Sequence, residues 1–349
     1  MRSVGATFLL LIITAVLPHD TGAEVVPNLY EATVPVASRS DTDLNAAISR
    51  GLAQVLVKVT GSSESLDNPA LEGALRDARR YMQQYAYLER RGDDTGLWLR
   101  MDYEIQQVNA LVTRAGAPLW TANRPSVLVW LVIEDQEGRR FLKRELEPEL
   151  TASLATGFDE RGVPLRLPLF DLSDAAALGT SEAWRLSQPA LLDASMRYGA
   201  SQVLAGRVAS LSTGAWLGDW SFFADGQRLD RSVTANTADE FLYAGIAMVV
   251  EDMASRFAVA ASVDATAGIA MLVDGVNSYR DYASVVSWLE GLELVDSANV
   301  EEVRGSQLLL RVYARVDADQ LASLLALNER LQPLGRPLDG IELGYQWQN

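Results

Sequence analysis

The segment that most constrains the fold is SVLVWLVIED, residues 126–135, which is apolar at almost every position. A strand with one face in water alternates apolar and polar residues, so a run without alternation is typical of a strand covered on both faces. The segments after it alternate in type: LEPELTASLATGFDERG favours a helix, VPLRLPLFD a strand, QPALLDASMRYGA a helix and SQVLAGRVASLS a strand. This order predicts a central, partly parallel α/β sheet.

The central α/β domain is predicted over residues 124–260. The Pro-containing segment APLWTANRP precedes it and the small-residue tract AVAASVDATAG follows it, as expected for connections between domains. Within the domain, WLGDWSFFADGQRLDRSVTAN is predicted to form a hairpin with Asp225 and Gly226 at its turn. A long amphipathic helix that begins at Asp239 completes the domain.

An α+β domain is predicted over residues 24–123, and a ferredoxin-like domain over residues 268–349. In the first, SDTDLNAAISRGLAQVLVKVTG has helical spacing and ends at Gly61, and Asn68 with Pro69 marks the start of another helix. In the second, the patterns follow the order β-α-β-β-α-β. The whole chain is therefore predicted to be a multi-domain protein of the α/β and α+β classes.

The first 23 residues have the features of an export signal. Arg2 supplies a positive charge, FLLLIITAVL is an apolar core too short to span a bilayer, and Thr21 to Ala23 are small residues suited to signal peptidase. The sequence predicts cleavage after Ala23 and a periplasmic protein. The alternative is an uncleaved signal that anchors the protein in the inner membrane. No later segment is long and apolar enough to predict a transmembrane span.

The mature chain is acidic and lacks the residues of several common sites. Asp and Glu number 46 against 30 Lys and Arg, a formal net charge of -16, and such a chain repels nucleic acid. Cys is absent, and His19 lies inside the predicted signal. These absences exclude Ser-His-Asp and Cys-His catalysis and metal sites with nitrogen or sulfur ligands. We therefore expect no metal site with zinc, copper or iron, no cofactor and no nucleic-acid partner. A Ca²⁺ or Mg²⁺ site with oxygen ligands stays an alternative, although no EF-hand spacing is present.

The stretch VLVKVTGSSESLDNP, residues 55–69, resembles a phosphate-binding turn at first sight. A phosphate loop needs several glycines, whose backbone N–H groups converge on the anion, and a lysine that reaches it. This stretch has a single glycine, Gly61, and Lys58 precedes it. The pattern therefore favours the end of a helix over a nucleotide site.

One pair of carboxylates follows an apolar strand, where the loops of α/β sheets often form sites. The segment FDLSD contains Asp171 and Asp174. Paired carboxylates can catalyse glycoside hydrolysis. Asp171 or Ser173 can equally cap a helix that begins at Ala175, and we favour this interpretation.

The aromatic residues are the main candidates for a binding surface. Trp216 and Trp220 lie four residues apart, a spacing that places both rings on one face of a strand. Aromatic rings beside arginine or tyrosine suit a sugar ring or a peptide strand. The alternative is that these tryptophans fill the core. The candidate binding residues are Trp120, Arg124, Arg197, Tyr198, Trp216 and Trp220.

Three blocks together resemble a family of domains of unknown function, number 2066. The blocks are LVKVTGSSESLDNPAL, AGAPLWTANRPSVLVWLVIE and ASMRYGASQVLAGRV, in this order behind the predicted signal. The resemblance extends through the predicted long helix, and the C-terminal unit shares it less clearly. Members of that family are exported proteins of Gram-negative bacteria. The resemblance implies a location in the cell envelope, and it supplies no activity, cofactor or catalytic residue.

These observations favour a non-catalytic periplasmic protein of the cell envelope that binds a protein, peptide or glycan. The hypothesis rests on the missing nucleophile and base residues and on the multi-domain layout. The alternative is a carbohydrate hydrolase that uses carboxylates, which requires two carboxyl groups about 5 to 10 Å apart in a cleft. No catalytic residue is assigned.

Overall fold

Three units follow one another along the chain, and the fold class is the predicted one, mixed α/β with several sheets. The computed structural model describes residues 24–90, 96–260, 268–328, 330–335 and 340–348. The predicted signal peptide and most of the predicted connection AVAASVDATAG lie outside these residues. The units are named N-terminal, central and C-terminal here, and the exact limits of three domains remain predictions.

The N-terminal unit contains an antiparallel sheet covered by a long helix, with strand order β2-β4-β3. Short 3₁₀ helices at Ser63–Asp67 and Ala78–Tyr81 join its elements. The elements are β1 (Glu24–Val25), β2 (Glu31–Val36), α1 (Asp41–Thr60), α2 (Pro69–Arg76), β3 (Met82–Arg90), β4 (Gly96–Tyr103), α3 (Ile105–Arg114), β5 (Pro118–Leu119) and β6 (Asn123–Arg124).

Helix α1 packs an apolar stripe on this sheet. Ser40 caps its first turn by accepting a hydrogen bond from the Asp43 backbone N–H. Gly61 ends the helix in the left-handed conformation, with φ at 74°, as predicted. Gly51 permits a close approach to the sheet, because a Cβ there would lie 2.6 Å from the Tyr103 hydroxyl. The helical spacing of the apolar residues therefore predicted the helix, and Gly61 predicted its end.

The central unit is a six-stranded, partly parallel sheet of order β12-β11-β10-β7-β8, with β9 also paired to β7. Strand β7 runs parallel to β10 and β9, as the predicted alternation of strands and helices requires. The elements are β7 (Val127–Asp135), β8 (Gly138–Phe141), α4 (Pro148–Glu160), β9 (Leu165–Arg166), α5 (Leu172–Ala177), α6 (Thr180–Trp184), α7 (Gln188–Met196), β10 (Gln202–Ser210), β11 (Trp216–Ala224), β12 (Gln227–Ala235), α8 (Ala238–Phe257) and β13 (Val259–Ala260).

Strand β7 is buried on both faces, as the sequence predicts. Its odd-numbered side chains, from Val127 to Ile133, belong to a core shared with α4 and α8. Its even-numbered side chains, Leu128, Trp130 and Val132, belong to a second core shared with α6 and α7. Because successive side chains enter different cores, each of these positions is apolar.

The predicted hairpin of the central unit is present as β11 and β12. Its turn residues Asp225 and Gly226 both have positive φ, at 49° and 75°. Such a two-residue turn matches the twist of the strands it joins. The dipeptide Asp-Gly therefore identified the turn correctly.

The C-terminal unit is a five-stranded sheet of order β15-β16-β14-β18-β17. It has the predicted order β-α-β-β-α-β with one additional short strand, β17. Strand β17 lies at the edge of the sheet. Strand β18 lies between β17 and β14, and it runs antiparallel to β17 and parallel to β14. The elements are β14 (Ile269–Asp274), α9 (Tyr279–Glu290), β15 (Val295–Arg304), β16 (Gln307–Ala314), α10 (Ala318–Leu325), β17 (Leu331–Pro333) and β18 (Leu343–Trp347).

The segment from Pro118 to Arg124, called the junction segment here, contacts all three units. The Trp120 backbone N–H donates to the Val59 carbonyl of the N-terminal unit. The Ala122 backbone N–H donates to Glu293 of the C-terminal unit. Strand β13 at the end of the central unit pairs with β5 in the same segment. Among the residues described, no helix has both the length and the apolarity that crossing a membrane requires.

Candidate functional site

Arg124, a predicted binding residue, lies in the interior of the protein. Its side chain is fully buried, and its guanidinium lies 4.0 Å from the centre of the Trp120 ring. Burial lowers the pKa of Arg124 to about 9, so the group is charged at neutral pH. A buried charge requires partners, and these are backbone carbonyls.

All five N–H donors of Arg124 are used. Nε donates to the Thr121 carbonyl at 2.9 Å, and Nη2 donates to the carbonyls of Trp120 and Lys58, each at 2.7 Å. Nη1 donates to the carbonyls of Gly162 at 2.8 Å and Arg161 at 3.4 Å. These acceptors include carbonyls at the C-terminal ends of α1 and α4, where a cation is favourable.

Trp120 and Arg124 therefore cannot form a binding face in this structure. The Trp120 ring is fully buried beneath the guanidinium, and Arg124 has no donor left for a ligand. The sequence interpretation is corrected for both residues: their aromatic and cationic character stabilises the joint between the N-terminal and central units. The tripeptide NRP contains no pattern that predicts burial of its arginine.

The pair Trp216 and Trp220 shares one face of β11, as predicted, but the two rings differ in surroundings. Trp220 is fully buried, stacks on Phe241 at 4.9 Å between ring centres, and donates from Nε1 to the Phe241 carbonyl. Trp216 is half-buried and packs at the margin of the same core. The interpretation of Trp220 as a binding residue is thus corrected, because this side of the sheet is covered by α8.

Arg197 and Tyr198 meet the predicted carboxylate pair. Arg197 binds Asp171 through both terminal nitrogens, at 2.6 and 2.9 Å, and reaches Asp174 at 2.8 Å. The Tyr198 hydroxyl donates to Asp174 at 2.6 Å, and the Phe170 backbone N–H donates to the same carboxylate at 2.7 Å. Two predicted binding residues and both predicted carboxylates therefore form one cluster at the start of α5.

This cluster has the geometry of a helix cap and gives no support to a hydrolase. Asp171 accepts from the backbone N–H groups of Ser173 and Asp174, and so caps a helix that begins at Leu172. The hydrogen bonds from Arg197 hold the pKa of Asp171 well below its usual range. Asp174 is 2% exposed and its acceptors are occupied. A glycosidase acid needs a raised pKa and access to substrate, but the pKa of Asp171 is lowered and Asp174 is buried.

The stretch that resembled a phosphate loop is the end of α1, as the sequence analysis favoured. The ammonium of Lys58 is buried and donates to the carbonyls of Asn28 and Glu31, and burial lowers its pKa. Over the residues described, no group of three or more carboxylate, histidine or cysteine side chains is placed to hold a metal ion.

The candidate site is a cavity of about 350 Å³ between the junction segment and the C-terminal unit. Its walls are mostly apolar and come from β1, α9, α10 and the start of β15. Its floor is polar and comes from the junction segment and Glu293. The lining residues are Val25, Thr121, Ala122, Asn123, Ser287, Trp288, Gly291, Leu292, Glu293, Leu294, Val295, Leu321, Leu324 and Asn328.

Glu293 is the charged side chain among these lining residues. Its Oε2 accepts from the Ala122 backbone N–H at 2.9 Å, and its Oε1 lies 3.1 Å from the Tyr30 hydroxyl. Burial raises the pKa of Glu293 above its ordinary value, and the nearby Arg124 opposes this shift. A carboxylate in such surroundings is unusual, because removing a charge from water is costly.

Asn123 also lines the cavity, although its side-chain oxygen is enclosed by protein. The Oδ1 atom of Asn123 is buried and has no hydrogen-bond partner. At the rim, Val25 of β1 is 69% exposed. The cavity thus combines apolar walls with a small number of convergent polar groups, the usual composition of a ligand site at a junction between domains.

Sequence reasoning did not identify this cavity. Glu293 stands in the ordinary segment LELVD, and its partners Tyr30 and Ala122 are distant in the chain. A larger cleft of about 890 Å³, lined by Arg280 and Arg330 among others, lies at the start of α9. Both of these arginines are exposed to water, and no buried unpaired polar atom lies in that lining. The smaller cavity is therefore the better candidate.

Comparison with known proteins gives a family match for the N-terminal unit. Residues 23–121 match a family described as Domain of unknown function (DUF8605). This finding overturns the resemblance to family 2066. The blocks that suggested it form a helix end, a buried strand and a helix-to-strand connection.

The other comparisons add no functional information. No curated protein matches this chain. A solved structure described as "Crystal structure of uncharacterized protein" is 12% identical, and the match covers 37% of this chain and 90% of the other. Its TM-score is 0.16, a value at which the likeness carries no argument. The function has to be inferred from the cavity itself.

Proposed function

We propose that this protein is a non-catalytic binding protein of the periplasm that receives an apolar segment of a peptide or protein partner in the junction cavity. One observation supports the proposal most directly: a preformed cavity of about 350 Å³ with apolar walls and a polar floor. Cavities of about 300–1,000 Å³ with this composition are typical of ligand sites between domains.

The lining favours a peptide over a glycan. Sugar rings are usually bound on exposed aromatic faces, and Trp288 is the aromatic side chain of this lining. The remaining walls are aliphatic, chiefly Leu292, Leu321 and Leu324. Aliphatic side chains of a peptide fit such walls, and the exposed Val25 at the rim extends the apolar surface outward.

Periplasmic location is part of the proposal and is tested separately. It is supported by the apolar core and the small residues that precede Glu24. The protein would be isolated from the periplasmic fraction and its N terminus sequenced. We expect a chain that starts at Glu24. A chain that starts at Met1 and sediments with membranes would instead establish the uncleaved anchor.

The binding proposal is tested by covering the mouth of the cavity. Ser287 lines it and is exposed on α9, so Ser287→Trp places a large ring there without removing a core side chain. Ser323→Trp is the matched control, because Ser323 is exposed on α10 and does not line the cavity. The probe is a fluorescein-labelled hexapeptide that begins with leucine and phenylalanine and continues with glycine and serine.

Fluorescence anisotropy measures the affinity of each variant for this probe. We expect Ser287→Trp to weaken binding at least about tenfold, since a filled pocket forfeits the apolar burial that drives association. Ser323→Trp should bind as the parent protein does, and all three proteins should melt at similar temperatures. Equal affinities for Ser287→Trp and the parent, or no binding by the parent, would refute the proposal.

A further inference from the structure

The floor of the junction cavity is short of hydrogen-bond donors. The Tyr30 hydroxyl has one hydrogen, and its shorter contact, 2.7 Å, is to Asn109 Oδ1 rather than to Glu293. Glu293 therefore has the Ala122 backbone N–H and the shared Tyr30 hydroxyl as donors, for two carboxylate oxygens that accept about four hydrogen bonds in all.

The electrostatic environment of the floor is negative. Glu293 is the charged side chain in the lining. Of the cations near it, Arg124 directs its five donors at backbone carbonyls. Arg315 donates to the backbone carbonyl of Glu293 and pairs with Asp296. Arg124 cannot turn toward the cavity without leaving those carbonyls unpaired, which is costly for buried groups. The chain as a whole carries a formal net charge of -16. Both the local and the overall charge therefore favour a cationic ligand.

We propose that the ligand of the junction cavity carries an ammonium group on an apolar body, as the free amino terminus of a peptide with an apolar first residue does. The inference rests on the proposed function and names the chemistry that its site recognises. The ammonium lies against the Glu293 carboxylate, and the apolar side chain lies against Trp288 and the leucines of the walls.

An ammonium group fits this floor better than a neutral polar group. It supplies three donors to the Glu293 carboxylate, whereas a hydroxyl supplies one. A buried carboxylate also gains more from a positively charged donor than from a neutral one. Capture of a peptide N-terminal amine is an established mode of recognition in other proteins.

The test compares the hexapeptide probe with a free amino terminus and the same peptide acetylated at its amino terminus. Acetylation removes the charge and leaves the apolar side chains intact. We expect the free peptide to bind the parent protein at least about tenfold more tightly, the effect of a charge-assisted hydrogen bond. Glu293→Gln should lose that preference, because the amide keeps an acceptor for Ala122 but carries no charge.

Glu290→Gln is the matched control. Glu290 lies three residues earlier, is exposed and does not line the cavity, so this variant removes the same formal charge without altering the floor. It should retain the preference for the free amino terminus. A loss of preference in Glu290→Gln equal to that in Glu293→Gln would overturn the assignment, since net charge alone would then explain it.

The outcomes separate this inference from the proposed function. Equal binding of both peptides, blocked by Ser287→Trp, overturns the ammonium assignment and leaves the peptide site in place. Competition by octylamine but not by octanol, without binding of either peptide, supports the ammonium chemistry and overturns the peptide partner. Failure of the peptides and of octylamine to bind overturns both.

Discussion

The N-terminal unit meets its two neighbours in opposite ways. Toward the central unit, Arg124 fills the joint, and each of its donors has a carbonyl partner. Toward the C-terminal unit, Glu293 leaves acceptors unused beside a cavity of about 350 Å³. Both side chains are charged and lie mostly away from water. The joint at Arg124 is called complete here because every donor of that side chain is used, although Trp120 Nε1 beside it is buried without a partner, and the joint at Glu293 is called open.

This difference distinguishes a buried charge that stabilises the fold from a buried charge that is available to a ligand. A buried charge that satisfies every partner makes a rigid joint, because moving it breaks several hydrogen bonds at once. A buried charge with unused acceptors beside empty space costs stability until a ligand arrives. Mutations in the complete joint should therefore lower the stability of the protein, and mutations in the open joint should weaken ligand binding.

The largest effect is expected for Arg124→Ala. The change leaves buried carbonyls at the ends of α1 and α4 unpaired and opens a void under Trp120, so we expect a loss of about 3–5 kcal/mol in the free energy of unfolding. Urea denaturation measures it. Arg50→Ala is the control, since that arginine is exposed and donates to a single carbonyl, of Pro35. Equal losses for the two variants would remove the distinction between the joints.

Two tryptophans extend the comparison to packing. Trp120 is fully buried in the complete joint, and Trp288 is half-buried at the open cavity. Trp120→Ala should lower the free energy of unfolding by about 3–5 kcal/mol, the usual cost of removing a core aromatic ring. Trp288→Ala should cost about 1 kcal/mol and weaken binding of the hexapeptide probe. Thermal melts measure the stability of both variants, and fluorescence anisotropy measures their affinity for the probe. A larger loss of stability in Trp288→Ala than in Trp120→Ala would contradict the assignment of Trp120 to the complete joint and Trp288 to the open cavity.

A smaller effect is expected at Gly162, which lies against Arg124. Its φ is 65°, and an added Cβ would lie 2.9 Å from Arg124 Nη1. Gly116 has nearly the same φ, 64°, with nothing within 4 Å of such a Cβ. Both alanine variants incur the left-handed backbone penalty of about 1–2 kcal/mol. We expect Gly162→Ala to lose at least about 1 kcal/mol more in urea denaturation, and equal losses would mean that Arg124 can move.

Periodicity predicted most of the fold. The unbroken apolar run of β7 predicted a strand between two cores, and Gly61 and the pair Asp225 and Gly226 predicted a helix end and a turn. These signals are local, because the conformation of each segment determines the residues it tolerates. The additional strand β17 was missed, since Leu331–Pro333 is short and contains a proline.

The candidate site could not be predicted in the same way. Tryptophan and arginine occur both in cores and on binding faces, so their presence in a sequence does not distinguish the two. Trp120, Arg124 and Trp220 were therefore predicted to lie on a binding face, whereas they are buried. The surroundings of the Glu293 carboxylate include Tyr30 and Ala122, which belong to another unit. Local patterns carry no information on such pairings, and the resemblance to family 2066 supplied none either.

The smallest expected effect is a pH dependence of stability at the open joint. Burial raises the pKa of Glu293 above its ordinary value of 4.5, so the folded protein retains this proton at pH values where the unfolded chain has lost it. Stability from this group is therefore fully present below the unfolded pKa and falls as the pH rises through the folded pKa. Of its neighbours, Arg124 stays charged, and the pKa of Tyr30 is raised far above this range.

Glu293→Gln should abolish this contribution, because glutamine resembles the protonated acid at every pH. Urea denaturation from acid to neutral pH would compare the parent with Glu293→Gln and with Glu290→Gln. Subtracting the stability of Glu293→Gln from that of the parent at each pH removes the opposite pH dependence of carboxylates such as Asp171, whose pKa is lowered. We expect the stability of the parent relative to Glu293→Gln to decline as the pH rises and to level off above the folded pKa of Glu293. A difference that stays constant over this range would mean that Glu293 is as well partnered as Arg124, and the two joints would then not differ.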